Sequence, residues 1–149
     1  MAKGQPNNCP CYTRIVQISE TTTDTAYVPG VCNINHAEIV RRRKAGYLGL
    51  ALFIVILMIC VFLISTDWVR LVLFAPAFLG AVGFLQAHYK FCVGYAAAGL
   101  QNANEDSETA IAVEAAAKAI DKQRARRINT QSLIIAVIAT ILSFGIPRL

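Results

Sequence analysis

The run from Gly46 to Ser65, GYLGLALFIVILMICVFLIS, holds no charged residue in twenty positions. At 1.5 Å per residue a helix of that length spans about 30 Å, the hydrocarbon thickness of a bilayer. The remainder of the chain agrees with this. Of its 149 residues 56% are hydrophobic and 15% charged, whereas soluble domains run near 45–50% apolar and about 25% charged. The apolar residues come in blocks and there are only five cysteines, which excludes disorder, collagen-like repeats and a disulfide-rich secreted scaffold. The reading is an integral membrane protein.

Two further spans are expected. Leu71 to Ala87 is uncharged for seventeen residues and is followed by the interfacial set His88, Tyr89, Lys90 and Phe91. Ile128 to Pro147 is uncharged for twenty, between Arg127 and Arg148, with its strongly apolar part from Leu133 to Ile146. The expected fold class is all-α: a hairpin with spans at about 46–65 and 71–88, a cytoplasmic Ala-rich helix, and a third span. The corresponding segments are 1–34 (cytoplasmic), 35–102 (hairpin), 103–127 (cytoplasmic helix) and 128–149 (third span and short outer tail). Pro76 is expected to bend the second helix.

Lys and Arg resist translocation and collect on the cytoplasmic side. With the N-terminus inside, twelve of the fourteen Lys and Arg lie in the cytoplasm and only Arg70 and Arg148 lie outside. The net charge of +5 is then a basic belt at the inner face, attractive to anionic headgroups, and requires no nucleic-acid partner. The first forty-five residues are polar, so the first apolar block reads as an uncleaved anchor and no signal peptide is expected. Trp68 in the outer turn, and Tyr47, Tyr89 and Tyr95 near the inner face, suit aromatic belts.

Outside the bilayer, residues 1–34 are rich in Asn, Thr, Pro and Gly, with β-prone stretches at Tyr12–Ile18 and Ala26–Val28; a small hairpin and disorder remain open. Asn35 stands three residues before Glu38, the spacing of a capping box. A helix is expected from about His36 straight into the first span. Glu105, Asp106 and Glu108 precede an Ala-rich tract that ends with Lys122, Arg124, Arg126 and Arg127, a charge order that complements a helix dipole. With the Glu114–Lys118 pair, it predicts a helix from about Ser107 to Arg127. Its apolar stripe, Val113, Ala116, Ala117 and Ile120, is made of small residues and is the candidate partner contact.

Small residues also recur in the second span. Ala77 with Ala81 and Gly83 with Ala87 let helix backbones approach closely, within the hairpin or in a dimer. Gly99 permits the same further on. The thiols invite a metal reading. Cys9 and Cys11 form C-x-C, Cys32 precedes His36 by four, and His88 precedes Cys92 by four on an expected common helix face that continues to Tyr95 and Gly99. Cys9, Cys11, Cys32, His36, His88 and Cys92 are therefore candidate zinc ligands of the Cys₃His or Cys₂His₂ type; structural thiols are the alternative. Cys60, inside the first span, is expected to pack. No nucleophile–base grouping or phosphate loop can be assembled, so no enzyme is expected. The span cores hold no ionisable residue except Cys, which disfavours an ion pathway.

The series Asn35-x-x-Glu38, Arg41 to Lys44, Gly46, span, short turn, span and Cys92-x-x-Tyr95-x-x-x-Gly99 resembles the YgaP-like inner-membrane hairpin domain of bacteria, found alone or fused to rhodanese. The likeness covers residues 33–102. It implies a self-associating hairpin of the bacterial inner membrane, with Cys92 as the cysteine at the end of the second helix. The proline that usually follows that cysteine is Val93 here, and with no rhodanese domain present sulfur transfer is not implied. The expectation is thus a multi-pass bacterial inner-membrane protein, partnered by the lipid bilayer and by its own copies or a membrane complex. It would serve as an assembly or accessory component through helix contacts; the alternative is a thiol redox or zinc sensor at the cytoplasmic face.

Overall fold

A computed structural model describes residues 27–63, 66–103 and 110–147. The described chain is mostly helical. Helix α1 runs His36–Phe62; a 3₁₀ helix at Asp67–Leu73 leads directly into α2, Phe74–Tyr89; α3 is Val93–Ala98; and α4 is Ala115–Phe144. Strands β1 (Leu100–Gln101) and β2 (Ile111–Ala112) pair antiparallel, Leu100 opposite Ala112. Ile34 adds a parallel bridge to Asn102. This small sheet is the departure from an all-α chain. Three helical segments, His36–Phe62, Asp67–Tyr89 and Ala115–Phe144, are long and apolar enough to span a membrane.

Helix α1 starts where its cap dictates. The Asn35 side chain accepts the Glu38 backbone N–H at 3.0 Å, satisfying one of the amides that a helix start leaves open. The Glu38 carboxylate also pairs with Arg42 at 3.0 Å and Arg41 at 3.5 Å. The antiparallel pair α1–α2 is set by four glycines. A Cβ on Gly49 would stand 2.3 Å from the Gly80 backbone nitrogen, and one on Gly83 would stand 2.4 Å from that of Gly46. The two backbones approach closely at these positions, which gains dispersion contact along the pair. Gly83, Ala81 and Ala87 are buried and Ala77 is half-buried. Gly83 therefore packs within the hairpin. Pro76 lies in the first turn of α2, just after 3₁₀ bonding gives way to α, where a missing amide costs least.

Two expectations require correction. The second helix does not continue through Cys92 to Gly99. It ends at Tyr89, because Lys90 turns left-handed (φ 52°) and Cys92 is extended. The amides of Lys90 and Phe91 both bond the Gln86 carbonyl, the latter at 3.0 Å. Phe91 is fully buried with Ala96, Ala125 and Ile128; the chain leaves the helix as that ring enters the core. Gly99 likewise closes α3 with φ 76°, a left-handed cap and not a position on a helix face.

The Ala-rich helix does not begin near Ser107. Residues 110–114 are non-helical, with Ile111–Ala112 paired to β1 and Val113 N–H donating to Gly99 at 3.0 Å. Sheet pairing there overrides the helix preference of Ala110 and Ala112. From Ala115 the helix passes through Arg127 into the third apolar run as one element of 30 residues.

Arg70 meets the far end of α4. It lies in the 3₁₀ helix, is 2% exposed, and its Nη1 donates to the carbonyls of Ser143 and Ile146, the latter at 3.0 Å. A guanidinium on the terminal carbonyls of α4 satisfies acceptors that a helix end leaves open and complements its dipole.

Candidate functional site: a polar cap on the basic end of the helices

The start of α1, the end of α2, α3, both strands and the start of α4 meet at one end of the molecule, beneath the segment Tyr27–Ile34. Asn33 is at the centre and fully buried. Its side chain donates to the Cys92 carbonyl at 3.1 Å and accepts the Cys92 N–H at 2.7 Å, replacing both partners a neighbouring strand would supply. Its own backbone bonds Lys90 at 3.3 Å and Asn102 at 2.8 Å. Asn33 thus ties the α2–α3 turn to β1.

Around it, buried amides meet backbone groups. Gln86 Oε1 accepts the Val93 N–H at 3.3 Å and Gln101 Oε1 the Ala103 N–H at 2.9 Å. Buried polar groups are tolerated when bonded in this way.

Asp121 of α4 holds the Tyr27 end. It is fully buried, and its carboxylate accepts the Tyr27 hydroxyl at 2.8 Å and the Gly30 N–H at 2.7 Å. Gly30 has φ 70°, and a Cβ there would lie 2.7 Å from Ile120 Cγ2, so glycine meets both the backbone and the space requirement. Burial first, then the hydrogen bond and charge of Asp121, push the Tyr27 phenol well above its ordinary value of 10.0.

Two arginines complete the rim. The Arg124 guanidinium lies 4.6 Å from the Tyr89 ring centre and that of Arg42 lies 6.0 Å from Tyr95, both within cation–π range. Among the described residues, Arg42 Nε, Arg124 Nε and Asn102 Oδ1 are buried here without hydrogen-bond partners.

Among the described residues the expected metal ligands are not brought together. Cys9 and Cys11 lie outside the described residues. Cys32 is disulfide-bonded, so it offers no thiolate. Cys92 is a free thiol, 2% exposed, and the break at Lys90 puts it on a different element from His88. His88 is exposed with its ring 5.1 Å from that of Tyr89, and His36 is exposed. Among the described residues no group of three or more His, Cys, Asp and Glu is placed to hold a metal ion. Cys60 is a buried free thiol.

Of the expected partner stripe, three residues lie on α4 and one before it. Val113 precedes α4, Ala117 is half-buried, and Ala116 and Ile120 are exposed. The inward face of α4 is instead Asp121, Ala125, Ile128, Ser132, Ala136, Thr140 and Ser143. The hydroxyls of Ser132, Thr140 and Ser143 bond carbonyls of their own helix at 2.9, 2.7 and 2.6 Å, which allows them to be buried. The steps of three and four between these residues place them on one face of the helix.

Chemically, the cap is a lock. Its polar groups are largely engaged with one another, and the free thiol is enclosed. Comparison with protein-family models, with curated proteins and with solved structures finds no match.

Proposed function

We propose that the chain is a small multi-pass membrane protein that acts as an assembly or accessory component through helix contacts, with a structural and not a catalytic role. The observation that carries this reading is the division of its surfaces. Gly46, Gly49, Gly80 and Gly83 are used within the hairpin, while α1 and α4 leave long apolar side chains uncovered, among them Leu48, Val55, Ile134, Ile138 and Ile141. These faces suit lipid and neighbouring helices, whether of further copies or of another membrane protein. Kinship of residues 33–102 with YgaP-like hairpins is part of this proposal, and the closely packed antiparallel pair α1–α2 supports it. The test is purification from native membrane in a lipid-preserving polymer. A stoichiometric partner or more than one copy per particle supports the reading, and lone monomers overturn it.

For orientation we propose the bacterial inner membrane with the basic end in the cytoplasm, on the strength of the twelve-to-two division of Lys and Arg. The Cys32 disulfide favours a second reading, a thiol redox element in the cap, because a disulfide on a cytoplasmic face is usually transient and redox-sensing. Cys32 adjoins Asn33, so reduction would loosen the residue that holds Cys92. Alkylation of Cys92 with and without reductant separates the readings: acceleration by reductant supports the redox element, and an unchanged rate removes it.

A further inference from the structure

We propose that the groove between the start of α1 and the end of α2 binds the phosphate headgroup of an anionic phospholipid. The groove, about 320 Å³ in volume, is lined by Arg43, Tyr47, Phe84, Ala87 and His88. Arg43 and Tyr47 are one turn apart on α1, as are Phe84 and His88 on α2, and the two helices run antiparallel. Arg43 and His88 therefore share the level nearer the basic end, while Tyr47 and Phe84 share the level one turn, about 5.4 Å, closer to the uncharged cores. The two rings meet edge to face at 5.1 Å.

This order matches the order of groups in a phospholipid, charged phosphate above and glycerol with acyl chain below. Arg43 is exposed, and among the described residues the Glu38 carboxylate pairs with Arg41 and Arg42 while none pairs with Arg43. Its planar fork suits phosphate oxygens. The charge favours an anionic headgroup over a zwitterionic one, and the aromatic floor at bilayer depth favours a lipid over a soluble anion. Basic pockets between helices at this level bind anionic headgroups in general. The pocket exists because Gly46 and Gly83 bring the helices together here, leaving Phe84 against the Gly46 backbone. The site stands apart from the partner proposed above and does not depend on it.

The test uses the full-length chain in detergent, with lipid retention read by native mass spectrometry and phosphatidylglycerol, phosphatidylcholine and inorganic phosphate as probes. Phosphatidylglycerol should be retained at one site and phosphatidylcholine should not. Arg43→Gln should lower its occupancy about fivefold or more, the double variant with His88→Gln further, and Arg43→Lys only in part. Arg126→Gln, which removes an exposed charge on α4, should leave retention unchanged. Both groove side chains are exposed, so the fold should survive, as circular dichroism would verify. Equal loss with Arg126→Gln would mean bulk charge attraction, displacement by inorganic phosphate would mean a soluble-anion site, and no retention at all would mean no site; each overturns the proposal.

Discussion

Asn33 and Cys92, 59 residues apart, are joined by two hydrogen bonds that run in opposite directions between one side-chain amide and one backbone unit. The carboxamide has the same donor–acceptor pair as a peptide group, so it completes the turn after α2 as a strand would. Cys92 depends on Asn33 through its backbone, and its thiol is enclosed as a by-product.

Asn33→Ala should leave the Cys92 N–H buried and unpaired, while the Cys92 carbonyl keeps the Ala96 N–H at 3.1 Å, a loss of about 1–3 kcal/mol in stability. Thermal unfolding in detergent measures it, and alkylation of Cys92 should accelerate in parallel. A variant with wild-type unfolding and wild-type alkylation would show that the pair holds nothing.

Gly49→Leu should drive the hairpin apart, since even a Cβ at that position would collide with the Gly80 backbone at 2.3 Å. Gly94→Ala is the matched control, because its Cβ would meet only Cys92 Sγ at an ordinary 3.7 Å and alanine favours the helix by roughly 0.5–1 kcal/mol. Similar unfolding temperatures for the two variants would remove glycine packing from the account.

The pH dependence of the Tyr27 contact has a definite sign. In the unfolded chain the phenol loses its proton near its ordinary value of 10.0, whereas the folded chain holds it to higher pH. The contribution is therefore complete below about pH 10 and is lost as pH rises beyond it. Hydrogen exchange at residues 27–34 should accelerate above that point in the wild type. In Tyr27→Phe it should be faster already at neutral pH, with no added alkaline step; an unaltered alkaline step would assign the effect to another group.

Much of this architecture could be read from local rules, and the failures share one cause. The uncharged runs mark the three helices long and apolar enough to span a bilayer, and Asn35 marks the start of α1 because the cap and its amide are three residues apart. The end of α2 was hidden: Lys90 and Phe91 carry no stop signal, and it is burial of the Phe91 ring against Ala125 and Ile128, far along the chain, that ends the helix. Val113 and its neighbours were read as helix for the same reason, since their partners Leu100 and Gln101 are brought alongside only by the fold. Cysteine spacing was read against tetrahedral ligand sets, while Cys32 is disulfide-bonded, an outcome that spacing does not distinguish.

Arg70→Gln should free the last turn of α4. It removes charge-assisted bonds to the Ser143 and Ile146 carbonyls, each worth about 1.5–3 kcal/mol when buried. Hydrogen exchange near Gly145 should rise while the cap end is unaffected; uniform exchange across both ends would point to global destabilisation instead of a lost helix cap.

In the proposed topology three crossings impose a parity that holds whichever way the protein faces, and one labelling measurement reads it. Thr66, Gln123 and Gly145 are exposed and lie, respectively, between the first two long helices, on the basic end of α4, and just beyond the far end of α4. Each is replaced by cysteine in turn and probed with a membrane-impermeant maleimide in sealed vesicles of known orientation. The account predicts that Thr66→Cys and Gly145→Cys label from one side and Gln123→Cys from the other. Labelling of Gln123→Cys and Gly145→Cys from the same side would contradict it, because α4 would then not cross.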